Sequence, residues 1–312
     1  MAYEYSRKAD NVHLLDTRMF GFERFQSCYL VAGRELALID AGVSTSFEVV
    51  RAAIEDSGFA IKDIAHIFVT HAEHPDHSGN VGAILKENAT AKVYVAPAGL
   101  EYLTHPGIES AKRKANLSAQ MAARFGEMVP VPRSRIQLLK EGDSFDLGDG
   151  EKLKIMMTPG HQPSGIVILQ EKSQGLFIND LCGASFPDAG AAFVFTPLRA
   201  DIPQTMASLK RVMDLPVKKL YLGHFGICNE PREVLETALA KAQQLLELAS
   251  ACRRGCDPEE IMQKALAITL PEAGKLRAAR GERLYEYVSQ ELMPSMARAF
   301  AGYCSGLYGK QF

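Results

Sequence analysis

The sequence contains seven side chains of the types that bind divalent metals, each close behind a predicted strand. They are His71, His74, Asp76 and His77 within one seven-residue segment, and then His161, Asp180 and His224. Imidazole and carboxylate groups are common ligands of zinc and similar ions, and the end of a strand in a rigid sheet holds such ligands in place. Seven donors are enough for two metal ions with a carboxylate between them. The pattern therefore predicts a dinuclear metal centre.

Each of these residues also has an ordinary explanation when it is taken alone. A single histidine after a strand is usually a surface or core residue, and Asp76 by itself fits a turn or a helix N-cap. Such explanations work for one residue at a time. They do not account for a compact segment of four donors together with three donors after separate strands, so the complete set favours the metal centre.

The predicted elements before residue 228 alternate short apolar runs with helical patterns. The run 66–70 is largely apolar, which is typical of a strand buried on both faces, and the histidine-rich segment begins at its end. Further strands are predicted at 13–15, 27–31, 36–39, 92–95, 166–170, 175–179 and 219–222, with a strand pair at 143–157. Helices are predicted at 46–56, 80–87 and 202–213. This mixture indicates an α/β metal-binding domain over residues 1–228.

The pattern changes after about residue 230, where strand signals stop. Amphipathic helices are predicted at 232–253, 258–267 and 278–303. We therefore expect residues 229–312 to form an all-helical extension that serves as a lid, as a dimerisation surface, or as both. Such helices would allow the chain to form a homodimer.

Charge and cysteine usage restrict the partners and the location. The formal net charge of −2 provides no strong field for nucleic acid or an anionic membrane, so neither is expected as a partner. No apolar run reaches the length of about 20 residues that spans a bilayer, and the polar N-terminus lacks a signal-peptide pattern. Six scattered cysteines without a CxxC pair favour a cytoplasmic protein with reduced thiols. Cys252 and Cys256, four residues apart, are more typical of two packed thiols than of a metal clip.

Five motifs, in order and in separation, resemble those of the metallo-β-lactamase superfamily. They are Leu38-Ile39-Asp40-Ala41-Gly42, Thr70-His71 with Asp76-His77-Ser78-Gly79-Asn80, Thr158-Pro159-Gly160-His161, Asp180, and Leu222-Gly223-His224. The resemblance covers about residues 10–228. It implies a four-layer αβ/βα sandwich, in which two sheets face each other, helices cover the outside, and two metals lie at one edge between the sheets.

The resemblance also implies a role for each donor. His161 would complete the first metal site with histidines of the segment, Asp76, His77 and His224 would hold the second metal, and Asp180 would bridge the two ions. Asp40 resembles a family aspartate that supports the site without binding metal. Asp76 would be the catalytic residue that orients a metal-bound hydroxide and moves its proton.

One departure from the family pattern lies inside the segment. The usual spacing is His-x-His-x-Asp-His, and here the segment is one residue longer. Counted back from Asp76, His74 takes the second histidine position; counted forward from His71, Glu73 takes it, as in the His-x-Glu-x-Asp-His of flavodiiron proteins. Pro75 biases the preceding residue toward an extended conformation, so a small bulge would turn both His71 and His74 inward. We favour His71 and His74 as ligands, with Glu73 outside the ligand set.

The choice between Glu73 and His74 also affects the metal. Histidine ligands suit zinc, whereas a glutamate shifts the preference toward iron or manganese. Zinc is therefore the favoured metal, with iron and manganese as alternatives. A flavodiiron reaction also needs an electron path, and no flavodoxin-like domain is predicted after residue 228.

The helical extension points to the substrate class. Thioesterase-like members, quinolone-signal-response members and glyoxalase II resemble the chain in carrying added helices. An apolar stripe formed by Tyr285, Tyr287, Met293, Met296, Phe300 and Tyr303 is more typical of a core or a dimer interface. The stripe would alternatively roof an acyl pocket, as would Phe186, Phe193 and Phe195. We favour a small-molecule ester or thioester, such as an acyl-CoA, as the substrate.

Two other functional classes compete with ester hydrolysis. A phosphodiesterase would need basic side chains near the metals, and the run Lys112-Arg113-Lys114 is the available cluster, although a solvated helix face is its simpler interpretation. The other class is a diiron redox or sensor protein, or a binding module whose altered motif has lost turnover. The metal and its turnover distinguish these classes.

Overall fold

The computed structural model describes residues 8–194, 200–251 and 257–304, and fifteen strands within them build two main sheets and one small sheet. The strands are β1 Lys8–Ala9, β2 Val12–Asp16, β3 Ser27–Ala32, β4 Leu36–Ile39, β5 Ile64–Phe68, β6 Lys92–Val95, β7 Ile136–Leu138, β8 Ser144–Gly148, β9 Glu151–Met157, β10 Ile166–Gln170, β11 Gly175–Asn179, β12 Ala184–Phe186, β13 Ala191–Phe193, β14 Lys219–Leu222 and β15 Gly226–Cys228.

Helices fill the intervals between strands and make up the C-terminal part of the chain. They are α1 Phe47–Asp56, α2 Pro75–Ser78, α3 Val81–Glu87, α4 Leu100–Thr104, α5 Gly107–Asn116, α6 Ala119–Phe125, α7 Ile202–Met213, α8 Pro231–Ala251, α9 Pro258–Arg280, α10 Glu282–Tyr287 and α11 Met293–Cys304, with a π-helical turn Val288–Leu292 before α11. Within the described ranges, none of these helices combines the length and the apolar character that a membrane crossing requires.

The first sheet has seven strands in sequence order, from β1 to β7. The pairs β4–β5, β5–β6 and β6–β7 are parallel, so the chain returns between them through helices. Both faces of β4 are buried, which is why its sequence Leu-Ala-Leu-Ile is a continuous apolar run. Because β4 and β5 run in the same direction, the loops that follow them, with Asp40 and His71, leave from the same edge.

The second sheet has six strands in the order β15-β14-β11-β10-β9-β8. Strand β10 is antiparallel to both β9 and β11, and β11 is parallel to β14. Strands β9, β11 and β14 therefore run in the same direction. Their carboxyl ends lie at one edge of the sheet, where the next residues lead to His161, Asp180 and His224.

The two sheets face each other across a shared apolar core, and helices cover their outer faces. Tyr29 of the first sheet and Phe177 of the second pack with their ring centroids 5.4 Å apart inside this core. On the outer face of the first sheet, α1 and α3 bury Ile54 and Ile84. On the outer face of the second sheet, α7 and α8 bury Leu209 and Leu235. This arrangement confirms the predicted αβ/βα sandwich.

The C-terminal helices contribute to two apolar clusters. Leu245, Ile261 and Phe300 form a cluster between α8, α9 and α11. Leu276 and Tyr287 instead join the core between the sheets. The helical extension is thus present as predicted, and its independence as a unit from residue 229 onward stays a prediction.

The boundaries of the last helices differ from the predicted ones. Helix α9 continues through Pro271 to Arg280 instead of ending at 267, because Ala273 and Leu276 beyond the proline are fully buried. Tertiary packing of this kind outweighs the local cost of a proline inside a helix. The predicted single helix 278–303 is interrupted at Gly281, whose φ of 88° is outside the helical region.

Several short elements have no counterpart in the sequence prediction. Strands β7, β12, β13 and β15 have three residues each, too few for an alternating pattern to be recognised. Phe186 and Phe193 lie on β12 and β13, are buried in the core, and do not line the cavity described below. Phe195, Cys252 and Cys256 lie outside the described residues.

The close contact at Gly79 yields a test of how the metal-binding segment is seated. A Cβ at Gly79 would lie 2.6 Å from the Ser44 nitrogen and 2.8 Å from the Gly42 oxygen, so only glycine permits this approach of two backbones. We expect Gly79→Ala to lower the free energy of unfolding by about 1–3 kcal/mol, because the backbones must separate. Urea denaturation at equilibrium measures the difference.

Gly107→Ala is the matched control for this substitution. Gly107 begins α5, and a Cβ there meets nothing within 4 Å. Alanine at this position should leave stability unchanged or raise it by about 0.4–1 kcal/mol. Equal effects of the two substitutions would show that the contact at Gly79 carries no strain.

Candidate metal centre

The seven predicted donors converge at one edge of the sandwich and form two groups. The first group contains His71, His74, His161 and Asp180, and the second contains Asp76, His77, Asp180 and His224. Within each group, one donor atom from every residue lies within 4.8 Å of the others. All of these side chains are buried except His74, which is partly exposed. Asp180 belongs to both groups, as expected of a bridging carboxylate.

Asp180 lies between imidazoles of both groups. Its Oδ2 is 3.4 Å from His77 Nε2 and 3.6 Å from His161 Nε2, and its Oδ1 is 3.6 Å from His224 Nε2. These distances are longer than ordinary hydrogen bonds. Two ligands about 2.0–2.2 Å from one tetrahedral ion are themselves about 3.4 Å apart, so the spacing suits ligands that share an ion.

Several polar atoms in the two groups lack hydrogen bonds. Among the described residues, no hydrogen bond is made by His71 Nε2, His77 Nε2, His161 Nε2, Asp76 Oδ1 or Asp180 Oδ1, although all are buried. Buried polar atoms are nearly always paired, and so many exceptions in one place need an explanation. Divalent cations would satisfy the lone pairs of the imidazoles and of Asp180 at once, and Asp76 faces the imidazoles of His77 and His224 with its other oxygen, Oδ2.

The pKa values of the histidines and of Asp180 show where positive charge is favoured in the two donor groups. Burial lowers the pKa of His71 well below its usual value and that of His161 to about 4, which keeps both rings neutral, the form that binds metal. Burial alone would also lower the pKa of His77, but the Asp180, Asp76 and Asp40 carboxylates raise it well above 6.5. Burial would raise the pKa of Asp180, but His77 and His224 hold it well below its usual range. The carboxylates thus favour a cation at this position.

Neighbouring groups fix the orientation of the donors. Asp40 accepts hydrogen bonds from the Thr70 amide (2.8 Å) and hydroxyl, and its Oδ2 lies 2.9 Å from His77 Nδ1. The Phe25 carbonyl lies 3.0 Å from His224 Nδ1. With Nδ1 engaged in each case, Nε2 of His77 and His224 faces Asp180. Asp40 therefore occupies the supporting position that the motif analysis expects, outside both donor groups.

The one-residue-longer segment is accommodated without moving Glu73 into either group. The Glu73 carboxylate accepts hydrogen bonds from the Ser164 amide (2.9 Å), the Ser164 hydroxyl and the Ala72 amide (3.1 Å). His74 has an extended backbone (φ −119°, ψ 135°), as expected before Pro75, which begins α2. The structure thus places His74 with His71 and His161 and turns Glu73 toward Ser164. Their assignment as ligand and non-ligand stays a prediction.

Comparison with known proteins now identifies the family. Residues 21–224 match the family model described as the metallo-beta-lactamase superfamily. The chain belongs to the metallo-beta-lactamase superfamily. The matched region contains all seven donors and both main sheets apart from the strands at their ends.

Two curated relatives and one solved structure are similar to this superfamily member. Diflavin flavoprotein A 1 of Synechocystis sp. is 28% identical over 162 residues, which are 51% of this chain and 23% of that protein. A probable metallo-hydrolase of Methanocaldococcus jannaschii is 29% identical over 161 residues, or 50% of this chain and 68% of that protein. The crystal structure of an archaeal metallo-beta-lactamase superfamily protein from Sulfolobus tokodaii has a TM-score of 0.63 and 26% identity over 77% of this chain and 87% of that one. The chain spans about a third or less of the length of the diflavin flavoproteins it matches.

A cavity of about 370 Å³ opens beside the donors of this superfamily member. Its apolar walls come from segments distant in sequence: Met19, Phe25, Leu117, Met121, Phe125, Tyr287, Leu292 and Met296. Tyr287 and Met296 belong to the apolar stripe of the C-terminal helices. Met293 and Phe300 of that stripe are instead buried in the apolar clusters, so the stripe serves as core and as cavity wall.

Helix α5 adds charged residues to the cavity lining. The sequence motifs do not predict that these residues lie there. Glu109, Lys112 and Arg113 all line it. Arg113 is only 5% exposed, so the interpretation of the basic run as a solvated helix face is wrong for this residue. The spacing of Glu109 and Arg113 by four residues predicts their ion pair but not its burial, because such a pair is ordinary on an exposed helix surface.

The competition between Glu73 and His74 is open to direct measurement. We expect His74→Ala to reduce the bound metal from about two ions per chain to about one, because it removes a donor from the first group. Glu73→Gln should retain both ions, because its carboxylate contacts Ser164 and not the donors. Elemental analysis after dialysis measures the content of each variant. Loss of an ion in Glu73→Gln together with full content in His74→Ala would support the flavodiiron-like register.

Metal binding by the second group should weaken as the pH falls. His77 holds a proton in the metal-free protein because nearby carboxylates raise its pKa well above 6.5, and this proton must leave before the ring binds metal. Below the raised pKa, apparent affinity should therefore fall by about tenfold per pH unit for one displaced proton. Competition with a chromophoric chelator at several pH values measures the slope. An affinity that is constant between about pH 8 and 6 would contradict this account.

Proposed function

We propose that the chain is a dinuclear-metal-dependent hydrolase that cleaves an ester or thioester bond, as in an acyl-CoA. The observation that carries the proposal is the position of the two donor groups, joined through Asp180, in the wall of a largely apolar cavity. Superfamily membership supports metal-dependent hydrolysis, and a relative is named as a metallo-hydrolase. The ester or thioester specificity is the finer part of the proposal.

In this proposal the two donor groups hold one metal each. His71, His74, His161 and Asp180 form the first site, and Asp76, His77, Asp180 and His224 form the second. Two divalent ions would supply Lewis acidity and lower the pKa of a shared water toward neutrality. Zinc is favoured because three imidazoles and one carboxylate suit it, whereas the carboxylate of Glu73 hydrogen-bonds to Ser164.

The chain's own residues would position the substrate and move the proton. Asp76 Oδ1 makes no hydrogen bond among the described residues, so it is available to accept a proton in the reaction and pass it to the leaving group. The Gln26 side-chain amide donates to the Asp76 carbonyl at 2.6 Å and fixes the backbone at this point. Asp76 is thus the proposed catalytic residue. Cys182, close to Asp180 in sequence, is fully buried in the apolar cluster beneath α7 and α8, and burial raises its thiol pKa, so it is not the nucleophile.

The apolar walls beside the donors favour an acyl chain over the polar, anionic backbone of a phosphodiester. Phe25 from the loop before β3 and Phe125, Tyr287 and Met296 from three different helices line the space beside the donors. Such walls exclude water and bind a hydrocarbon chain through its transfer from water. The helical extension contributes Tyr287 and Met296, which is the role proposed for it as a lid.

A diiron redox or sensor protein is the second candidate. It is favoured by one observation: several relatives are named diflavin flavoproteins. In that case the same donors would hold iron, and the reaction would need a source of electrons. The metal present after purification separates the two candidates.

The proposal is tested by metal content and turnover together. Protein purified without added metal should contain about two zinc ions per chain and should hydrolyse a generic acyl thioester. The same protein should act much more slowly on bis(4-nitrophenyl) phosphate. Iron with a visible absorption band and no thioesterase activity would overturn the hydrolase proposal in favour of the redox one, and faster phosphodiester cleavage would favour a phosphodiesterase.

Two variants locate the activity in the donor groups. His224→Ala should reduce kcat by at least about a hundredfold, because it opens the second group while the helical extension keeps its packing. Asp146→Asn is the matched control, since its carboxylate is exposed and remote from the cavity. Full activity in His224→Ala would show that the second group is assigned wrongly.

A further inference from the structure

The cavity wall contains a buried arginine whose hydrogen bonding is incomplete. The Arg113 side chain is 3% exposed. Its Nη2 donates to the Gly126 carbonyl at 3.1 Å, and its Nη1 is 3.3 Å from Glu109 Oε2. Within the described residues, however, Nε and Nη1 make no hydrogen bond. A guanidinium carries five N–H donors, and burying it with most of them unused is costly unless a ligand completes the set.

Arg113 is held rigidly in place. The Phe125 ring lies against its guanidinium, with Cζ 5.3 Å from the ring centroid, and the Gly126 carbonyl fixes Nη2. Phe125 and Arg113 both line the cavity that contains His74, Asp76 and His161. The cation is therefore in the same enclosed space as the donor groups, and a fixed charge of this kind orients a ligand without further ordering.

Glu109 compensates this charge only in part. Burial raises the pKa of Glu109 to about 7, so near neutral pH its carboxyl group is partly protonated. Its Oε2 lies 3.3 Å from Arg113 Nη1 but makes no hydrogen bond in the described part of the chain, so the ion pair leaves donors of the guanidinium unused. The pair of side chains thus keeps a net positive character facing the cavity.

We propose that Arg113 binds a carboxylate of the substrate, at the opposite end of the acyl chain from the scissile bond. This inference rests on the proposed ester or thioester hydrolysis and specifies its substrate as an acyl compound with a second, anionic end. The carboxylate accepts hydrogen bonds from the unused donors of Arg113, and the apolar walls hold the chain between the two ends. A carboxylate fits better than a phosphate dianion, because a single guanidinium that Glu109 partly compensates balances one negative charge but not two.

Lys112 extends the same side of the cavity. Its Nζ donates to the Tyr102 hydroxyl at 3.0 Å, and both residues line the cavity. Lys112 therefore adds long-range attraction for an anion, while the direct contact is assigned to Arg113. This division predicts that removal of Arg113 raises KM for an anionic substrate more than removal of Lys112 does.

The experiment compares matched thioesters of stepped chain length, one ending in a methyl group and the other in a carboxylate. For wild-type protein, kcat/KM should be higher for the carboxylate-ended member at one chain length. Arg113→Gln should raise KM for that member by about thirtyfold or more and leave the methyl-ended member nearly unchanged. Arg113→Lys, which keeps the charge, should fall between the two. Lys114→Gln, at an exposed position on the same helix, is the control and should change neither.

A binding measurement separates failure of this inference from failure of the proposed function. Thioether analogues, in which a methylene replaces the thioester carbonyl, are titrated calorimetrically with and without the terminal carboxylate. The carboxylate form should bind wild-type protein more tightly than Arg113→Gln by about thirtyfold or more. Tight, Arg113-dependent binding without turnover of any thioester would refute the hydrolase and keep the carboxylate site. Turnover or binding that ignores the terminal carboxylate, in variants with wild-type thermal stability, would refute the carboxylate site alone.

Discussion

Asp180 is buried among three imidazoles, and a carboxylate in that position needs positive charge close to both of its oxygens. His77 and His224 supply part of that charge, which is why the pKa of Asp180 lies far below its usual range. Several other buried atoms of the two donor groups, among them His71 Nε2 and His161 Nε2, make no hydrogen bond with the described residues. The geometry therefore fits a site that binds cations. The fold has to bring the other donor side chains close to Asp180.

The directions of the strands bring the donors together. Strands β9, β11 and β14 run the same way in the second sheet, and β4 and β5 run the same way in the first. The residues that follow their carboxyl ends meet at one edge of the sandwich, so donors more than 150 positions apart in sequence become neighbours. The core between the sheets fixes their separation, because ring pairs such as Tyr29 and Phe177 set the distance between the two edges. Small changes in that core would be transmitted to the donors.

The sequence was sufficient for the fold and for the convergence of the seven donors, because both depend on features with clear local signals. Buried strands are continuous apolar runs, and each donor follows such a run directly. The orientation of the Glu73 side chain was harder to predict. It depends on hydrogen bonds with Ser164, which lies 91 positions away and belongs to no motif. The path of α9 through Pro271 was likewise determined by burial of residues beyond the proline, which outweighs a local rule. Long-range packing, not local pattern, decides these cases.

The cavity walls are formed by different elements from those that carry the metal donors. The donors lie on loops and short helical turns that follow strands, whereas most of the walls come from α5, α6 and the C-terminal helices, which contain none of the motifs. An ion pair at i and i+4, such as Glu109 and Arg113, has the same sequence pattern whether it is exposed or buried. An exposed pair contributes little to stability, whereas a buried pair carries a large cost of desolvation. Chemistry and specificity are thus encoded in separate parts of the chain. A motif of metal donors therefore identifies the kind of reaction, while the substrate has to be inferred from the charges and apolar surfaces that distant helices place around it.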